Sequence, residues 1–133
     1  MLQKLNTRRG GFTLVEIMIV VAIIALLAAI AVPNFMRARK RSQATACKQD
    51  YRMLDAAIEQ FAIESNAQPT TAVTFANLKA YIKDNSPLYY NGGNDTLGNA
   101  VTLVDVKTGI KMPDATYQAL SDVADATFWS PYK

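Results

Sequence analysis

From Ile17 to Met36 the chain runs for twenty residues without a charged side chain, and a carboxylate, Glu16, stands directly in front of that run. Nothing else in the sequence constrains the fold as much. Coiled as a helix, such a stretch is about 30 Å long, which is the thickness of a hydrocarbon core. Basic side chains flank it on both sides, Lys4, Arg8 and Arg9 before it and Arg37, Arg39, Lys40 and Arg41 after it, so positive charge alone does not orient it. A cleaved secretory signal needs only about 7–15 apolar residues and a small-residue exit. This run is too long for that, and Pro33-Asn34-Phe35 is a poor exit. Pro33 cannot donate to the carbonyl of Ala29 and its ring crowds the preceding turn, so a kink or a locally melted segment is expected there. Ala25, Ala28, Ala29 and Ala31 leave room for another helix to approach closely.

What remains has the size of one small domain. Three of the fourteen basic residues precede the apolar run, which leaves eleven against eleven acids. The balance is neutral, unlike that of a nucleic-acid-binding protein. There is no histidine, which removes Ser-His-Asp and Cys-His catalysis and His-ligated zinc together. With no catalytic constellation left, an enzyme is not expected. The lone cysteine, Cys47, cannot form an internal disulfide. The basic run "RARKR" (Arg37–Arg41) has no interleaved aromatics and stands at the exit of the apolar segment, so lipid phosphates suit it better than nucleic acid.

A carboxylate at a helix centre in lipid costs about 2.5–3.5 kcal/mol. Glu16 would escape part of that cost by reaching for the headgroups, but its neighbours suggest more. "RRGGFTLVEIMIVVAIIALLAAIAVPNF" resembles the N-terminal signal of type IV pilins and of the pseudopilins of type II secretion: a basic leader, glycine, phenylalanine, a glutamate four residues on, then an apolar helix. The resemblance implies that a prepilin peptidase cuts between Gly11 and Phe12 on the cytoplasmic side and that the new Phe12 amine is N-methylated. Gly10 and Gly11 would let the backbone lie extended in the protease groove. It also implies a division into a leader (1–11) that is removed, a transmembrane and filament-core helix (12–41), and a globular body (42–133). The leader would stay cytoplasmic and "RARKR" would face outward. Glu16 would meet the Phe12 amine of a neighbouring subunit, an ion pair that sets axial register in a poorly hydrated setting. The helix in such filaments is often unwound near a proline placed like Pro33.

Beyond the span, Cys47, Tyr51, Leu54, Ile58 and Phe61 recur at spacings of four and three, the pattern of one buried helix face. One helix is therefore expected from Phe12 to about Glu64, with Cys47 packed as a small hydrophobe. Thr74 is placed to cap a short helix over Phe75–Asp84, which Asn85-Ser86-Pro87 should stop. Leu88–Asn99, rich in turn formers, reads as a surface wrap. Ala100–Val106 and Ile110–Met112 read as a hairpin turned by "KTG", and Asp114 as the cap of a last helix over Ala115–Asp125. The aromatic tail Phe128, Trp129 and Tyr132 should pack back onto the sheet.

The expected class is α+β: a long N-terminal helix, apolar in its first half and kinked near Pro33, packed on a small domain of short helices and a small antiparallel sheet. That is also the family's fold. "DTLGN" (Asp95–Asn99) partly resembles the "DPWGN" element of major pseudopilins, departing from it at Thr96 and Leu97. Some of these bind calcium near the C-terminus. Here Asp122, Asp125 and Asn94 or Asp95 are the available oxygens, but no D-x-D-x-D-G loop is present and no cofactor is expected. The resemblance implies a structural subunit, single-pass in a bacterial inner membrane and then part of a periplasmic pseudopilus or a surface pilus. Its partners would be the peptidase, an inner-membrane assembly platform, other subunits and, before assembly, lipid. The small body, the missing cysteine pair and "DTLGN" lean toward a pseudopilin of type II secretion, with a type IV pilus pilin next. A minor pilin serving as a tip adhesin or DNA-uptake receptor is the alternative.

Overall fold

The structure, a computed structural model, describes residues 10–133. Backbone contacts divide the chain into two units, the first ending at Met36 and the second running from Arg37 to Lys133. The basic run Arg37–Arg41 therefore goes with the second.

One helix, α1 (Leu14–Ser65), supplies all regular structure among the described residues of the first unit and the opening element of the second. Its first stretch is rich in Val and Ile, which are mediocre helix formers in water. In an apolar medium that ranking matters less, because a helix satisfies every backbone donor and acceptor within itself. Pro33 lies inside the element, and the helical state is unbroken on either side of it, so no local melting occurs there. From Phe12 to Met36 the side chains are exposed throughout the first unit.

In the second unit the four-three spacing does what the pattern requires. Ala44, Cys47, Tyr51, Leu54, Ala57 and Ile58 of α1 are buried, and Phe61 packs at the margin. Leu78, Leu88, Ile110, Leu120 and Trp129 close over that stripe, each contributing on the order of 2 kcal/mol by leaving water. Leu78 belongs to α2 (Phe75–Leu78), where the Asn77 side-chain oxygen Oδ1 accepts from the Thr74 N–H at 3.1 Å. The helix is shorter than the Phe75–Asp84 span suggested by sequence. It tightens into a 3₁₀ turn at Lys79–Tyr81, then Ile82 goes extended to bury its side chain. Tyr81 is held against the end of α1, edge-on to Phe61 and donating to Glu64 at 2.9 Å.

Asn85-Ser86-Pro87 does not only stop one helix; it starts another. Ser86 caps α3 (Pro87–Tyr90) by accepting from the Tyr89 N–H at 3.3 Å, and Pro87 occupies the first helical position, where its missing donor costs nothing. The hairpin is present but short: β1 (Thr102–Leu103) pairs antiparallel with β2 (Ile110–Lys111) in the register Thr102 to Lys111 and Leu103 to Ile110. Of the rest of the expected first strand, Val104 N–H still donates to Gly109 O across the hairpin, while Val104 O accepts from Val73 N–H and Val106 N–H donates to Thr71 O in the loop before α2. The last helix also divides. α4 (Asp114–Leu120) ends when Val123 and Ala124 both donate to the Leu120 carbonyl, and α5 (Ala126–Trp129) follows. Asp114 lies within the first turn of α4 rather than capping it, while Asp125, expected inside the helix, caps α5 by accepting from Phe128 N–H at 2.9 Å. The aromatic tail packs inward as expected: Trp129 is fully buried, and Met112, just after β2, donates to the Tyr132 carbonyl at 3.0 Å.

Gly93 joins α3 to the following loop at φ +86°, and a Cβ built there would lie 2.5 Å from the Phe75 ring. Gly93→Ala therefore combines a left-handed backbone with a clash against a packed side chain. It should lower stability by about 2 kcal/mol or more, read as a reduced thermal midpoint of the detergent-solubilised chain.

Candidate functional site

Two groups of polar side chains stand out, one at the start of α1 and one inside the body. Gly10 through Thr13 are non-helical and exposed, and the helix begins at Leu14. Lys4, Arg8 and Arg9 lie outside the described residues. A Cβ added at Gly10 or Gly11 would meet nothing within 4 Å. This chain does not itself demand glycine at either position, so any such demand comes from a partner. Phe12 is 80% exposed.

Glu16 sits in the first turn of α1. Its carboxylate accepts from the Thr13 N–H at 3.3 Å, while the Thr13 hydroxyl oxygen accepts from the Glu16 N–H at 3.2 Å. This is a reciprocal capping box, in which two first-turn donors that have no partner within the helix are satisfied. The negative charge also lies at the positive end of the helix dipole. Glu16 is thus more than a bare acid beside an apolar run, because its own helix solvates part of it. Thr13-x-x-Glu16 is a known helix-start spacing, and reading Glu16 only as a charge in lipid overlooks it. Pro33 lies 17 positions further on within the same helix and makes no site with these residues.

The second group centres on Asp95, which has no exposed surface. One oxygen accepts from the backbone N–H groups of Leu97 (3.0 Å) and Asn99 (2.9 Å). The other accepts from the Tyr51 hydroxyl at 2.9 Å and from the Thr116 hydroxyl. Asn99 in turn donates to Thr116 at 2.9 Å. α1, the "DTLGN" turn and α4 therefore meet on a single carboxylate. Leu88–Asn99 is not the surface wrap its composition suggests, because Asp95 needs an enclosed place with four donors. Asp50, one residue before Tyr51, is also buried and accepts from the Thr96 hydroxyl at 2.6 Å.

Burial governs the titration of this cluster. It is the main force pushing the Asp50 carboxyl above its ordinary value, with the Thr96 hydrogen bond opposing it. It also raises the Tyr51 hydroxyl, helped by the neighbouring Asp95 charge. The Cys47 thiol is pushed up to about 11, first by burial and then by Asp95 and Asp50. A thiol so seldom ionised is a packing residue. Of the oxygens singled out for calcium, Asp122 pairs with Lys40 at 2.7 Å, Asp125 caps α5, and Asp95 holds its four donors. Among the described residues no three His, Cys, Asp or Glu side chains converge on a point where a metal could sit.

Comparison with known proteins gives these placements a context. Residues 6–32 match the family model of the prokaryotic N-terminal methylation motif. The chain is 46% identical over 63 residues to the type IV major pilin protein PilA of Myxococcus xanthus, covering 47% of this chain and 29% of that protein. Type II secretion system core protein G of Pseudomonas aeruginosa is 38% identical over 64 residues, 48% of this chain and 45% of it. The type IV wide pilus major component PilA4 of Thermus thermophilus is 60% identical over 35 residues, 26% of this chain and 27% of it. The chain thus spans less than half the length of these relatives. No solved structure matches it.

Asp95→Ala removes the acceptor shared by four donors and leaves the Tyr51 hydroxyl buried without a partner. It should destabilise the body by about 3 kcal/mol or more. Asp95→Asn should cost less, because the amide oxygen still serves Leu97 and Asn99 while the Tyr51 and Thr116 hydroxyls can turn to accept. Thermal unfolding of the two variants beside the wild type checks the order. Asp50 supplies a pH signature. Its folded carboxyl holds its proton above the ordinary value of 3.8, so its contribution to stability is present in acid and is lost as pH rises through the raised value. Asp50→Asn should therefore be more stable than the wild type at neutral pH, with the difference vanishing in acid; a less stable variant at neutral pH would refute the assignment.

Proposed function

By its N-terminal methylation motif the chain belongs with the type IV pilins and type II secretion pseudopilins, and from that premise we propose that it is a structural subunit, cleaved after Gly11, methylated at Phe12 and polymerised into a filament of that family. One observation carries the proposal. The first half of α1 is long and apolar enough to cross a membrane, its most apolar stretch has a mean hydropathy of 3.0, and the chain itself buries none of that stretch. Such a surface must be covered by something else. Lipid covers it in a membrane-anchored precursor, and parallel copies of the same helix cover it in a filament core.

In this reading Gly10 and Gly11 serve the peptidase, which needs an extended backbone it can approach closely. Their exposure and the non-helical stretch up to Thr13 support that role. Glu16, half-satisfied by its own capping box, is a suitable acceptor for the Phe12 ammonium of an incoming neighbour. In a poorly hydrated core that pair is far stronger than in water and sets the axial register. Pro33, helical in the isolated chain, is the place where a filament could most cheaply open the helix, since one backbone bond is already missing there. The partners that follow are the prepilin peptidase, an inner-membrane assembly platform and other copies of the subunit.

For the system served, the "DTLGN" turn built on Asp95 and the single cysteine favour a pseudopilin of type II secretion. The 46% identity to a type IV major pilin favours a pilus pilin as the second reading.

Intact mass and N-terminal sequencing of the protein from its own membranes and from a sheared surface fraction test the proposal. A chain beginning at methylated Phe12 is the expected result, and the fraction that holds it separates a periplasmic from an external filament; a chain still beginning at Met1 overturns it. Glu16→Ala should be cut as the wild type is yet yield few or no filaments. Normal polymerisation of that variant would remove the register role.

A further inference from the structure

Four basic side chains, Arg37, Arg39, Lys40 and Arg41, follow the apolar segment within little more than one turn of α1, and along the sequence they are alike. In the structure they are not. Lys40 stands four residues before Ala44 and seven before Cys47, both buried, so it lies on the line of α1 that faces the core. There its ammonium meets Asp122, in the turn between α4 and α5, at 2.7 Å. The Lys40 hydrogen bond and charge, with a lesser part from Arg37, hold the Asp122 carboxyl below its ordinary value. Arg39 and Arg41 lie about 100° to either side of the Lys40 line. Arg37, Arg39 and Arg41 are all exposed, and no ion pair among the described residues includes any of them.

The uncharged run ends at Met36, so when it spans a bilayer these three guanidinium groups fall at the level of the headgroup phosphates. Arginine is costly inside hydrocarbon, so the same groups limit how deep the span can sit. A planar guanidinium matches two phosphate oxygens at once. Arg37 and Arg41, four residues apart, share one side of the helix, and Arg39 lies on the other. A nucleic-acid duplex would approach from a single side, while lipid surrounds a spanning helix and supplies phosphates on both. A zwitterionic headgroup carries its own cation beside the phosphate, so a headgroup with net negative charge suits three arginines better. Asp122 left bare at that level would repel such headgroups, and Lys40 cancels it.

We propose that Arg37, Arg39 and Arg41 bind the phosphates of anionic phospholipid headgroups, while Lys40 is withheld from them to neutralise Asp122 and to tie the α4–α5 turn to α1. The inference rests on the membrane-anchored precursor of the proposed function and names the lipid class that holds it. Arg39 and Arg41 are the main contacts, since part of the Arg37 charge is already turned to Asp122.

The full-length chain in non-ionic detergent, given equal amounts of phosphatidylglycerol and phosphatidylcholine, tests this division by native mass spectrometry of the lipids it keeps. Phosphatidylglycerol should be kept in preference, and Arg39→Gln and Arg41→Gln should each weaken that preference about fivefold. Lys40→Gln together with Asp122→Asn removes a neutral pair and should leave the preference at its wild-type value. Asp122→Asn alone should raise it about fivefold by releasing Lys40. The proposal is overturned by equal retention of the two lipids, or by a wild-type preference in the variant carrying both Arg39→Gln and Arg41→Gln. A loss from the neutral-pair variant as large as from either arginine also overturns it, because charge would then count without regard to placement. So does a DNA duplex that binds the solubilised chain and displaces phosphatidylglycerol, which would assign the arginines to nucleic acid. The underlying reading fails separately: if alkaline carbonate releases the wild-type chain from phosphatidylcholine vesicles, it is not membrane-anchored, and the lipid contact falls with it.

Discussion

An apolar helix that its own chain does not cover is the constraint on which everything else here turns. From Leu14 to Met36 the first half of α1 offers Phe, Leu, Ile, Val and Met side chains to its surroundings. In water that surface would have to be hidden at once. The chain hides none of it, so that surface calls for an apolar surrounding from outside the chain. The second half of the same helix has the opposite relation to its chain, because its Cys47–Ile58 stripe is the floor of the body's core. One continuous element thus joins a segment that needs outside partners to a domain that satisfies itself.

The body meets a different difficulty, which is how a thin core holds long irregular segments. Only two residues per strand pair in the sheet, and no helix after α1 exceeds seven residues. Backbone ladders alone would leave these pieces loosely attached. Asp95 makes up for that by gathering the Tyr51 hydroxyl, two backbone N–H groups and the Thr116 hydroxyl onto one carboxylate. A buried charge is expensive unless its lone pairs are filled, and here they are. The cost of disturbing any one donor is what keeps the arrangement unique. Glu16 solves a smaller version of the same problem at the start of α1, where the helix's own unpaired donors face the acid.

Much of this was legible before any coordinates. The uncharged run marks the span, and the four-three recurrence from Cys47 to Phe61 marks the face that packs. The glycines, Phe12 and Glu16 lie within the stretch that matches the N-terminal methylation motif. Local chemistry misled where two signals competed. Ser86-Pro87 reads as a stop although serine before proline is also a helix start, and the structure uses it as one. Ala115–Asp125 looks like one helix, but the chain turns after Leu120, where Val123 and Ala124 both donate to the Leu120 carbonyl, and Asp125 caps a separate α5 that carries Trp129 into the core. The Asn- and Gly-rich stretch before Asn99 looks solvated because composition cannot say that Asp95 will find four donors from distant parts of the chain.

Taken alone, the sequence determined those features whose cause is periodic or local: the length and apolarity of α1, its buried stripe, the hairpin, and the neutral balance beyond the first eleven residues. Each follows from spacing along a helix or strand, or from the chemistry of a turn. Tertiary structure decided the rest: how far each strand pairs, where the last helix divides and which acids are enclosed. Those outcomes depend on contacts between residues tens of positions apart, such as Tyr51 with Asp95 and Met112 with Tyr132, which no window along the chain contains.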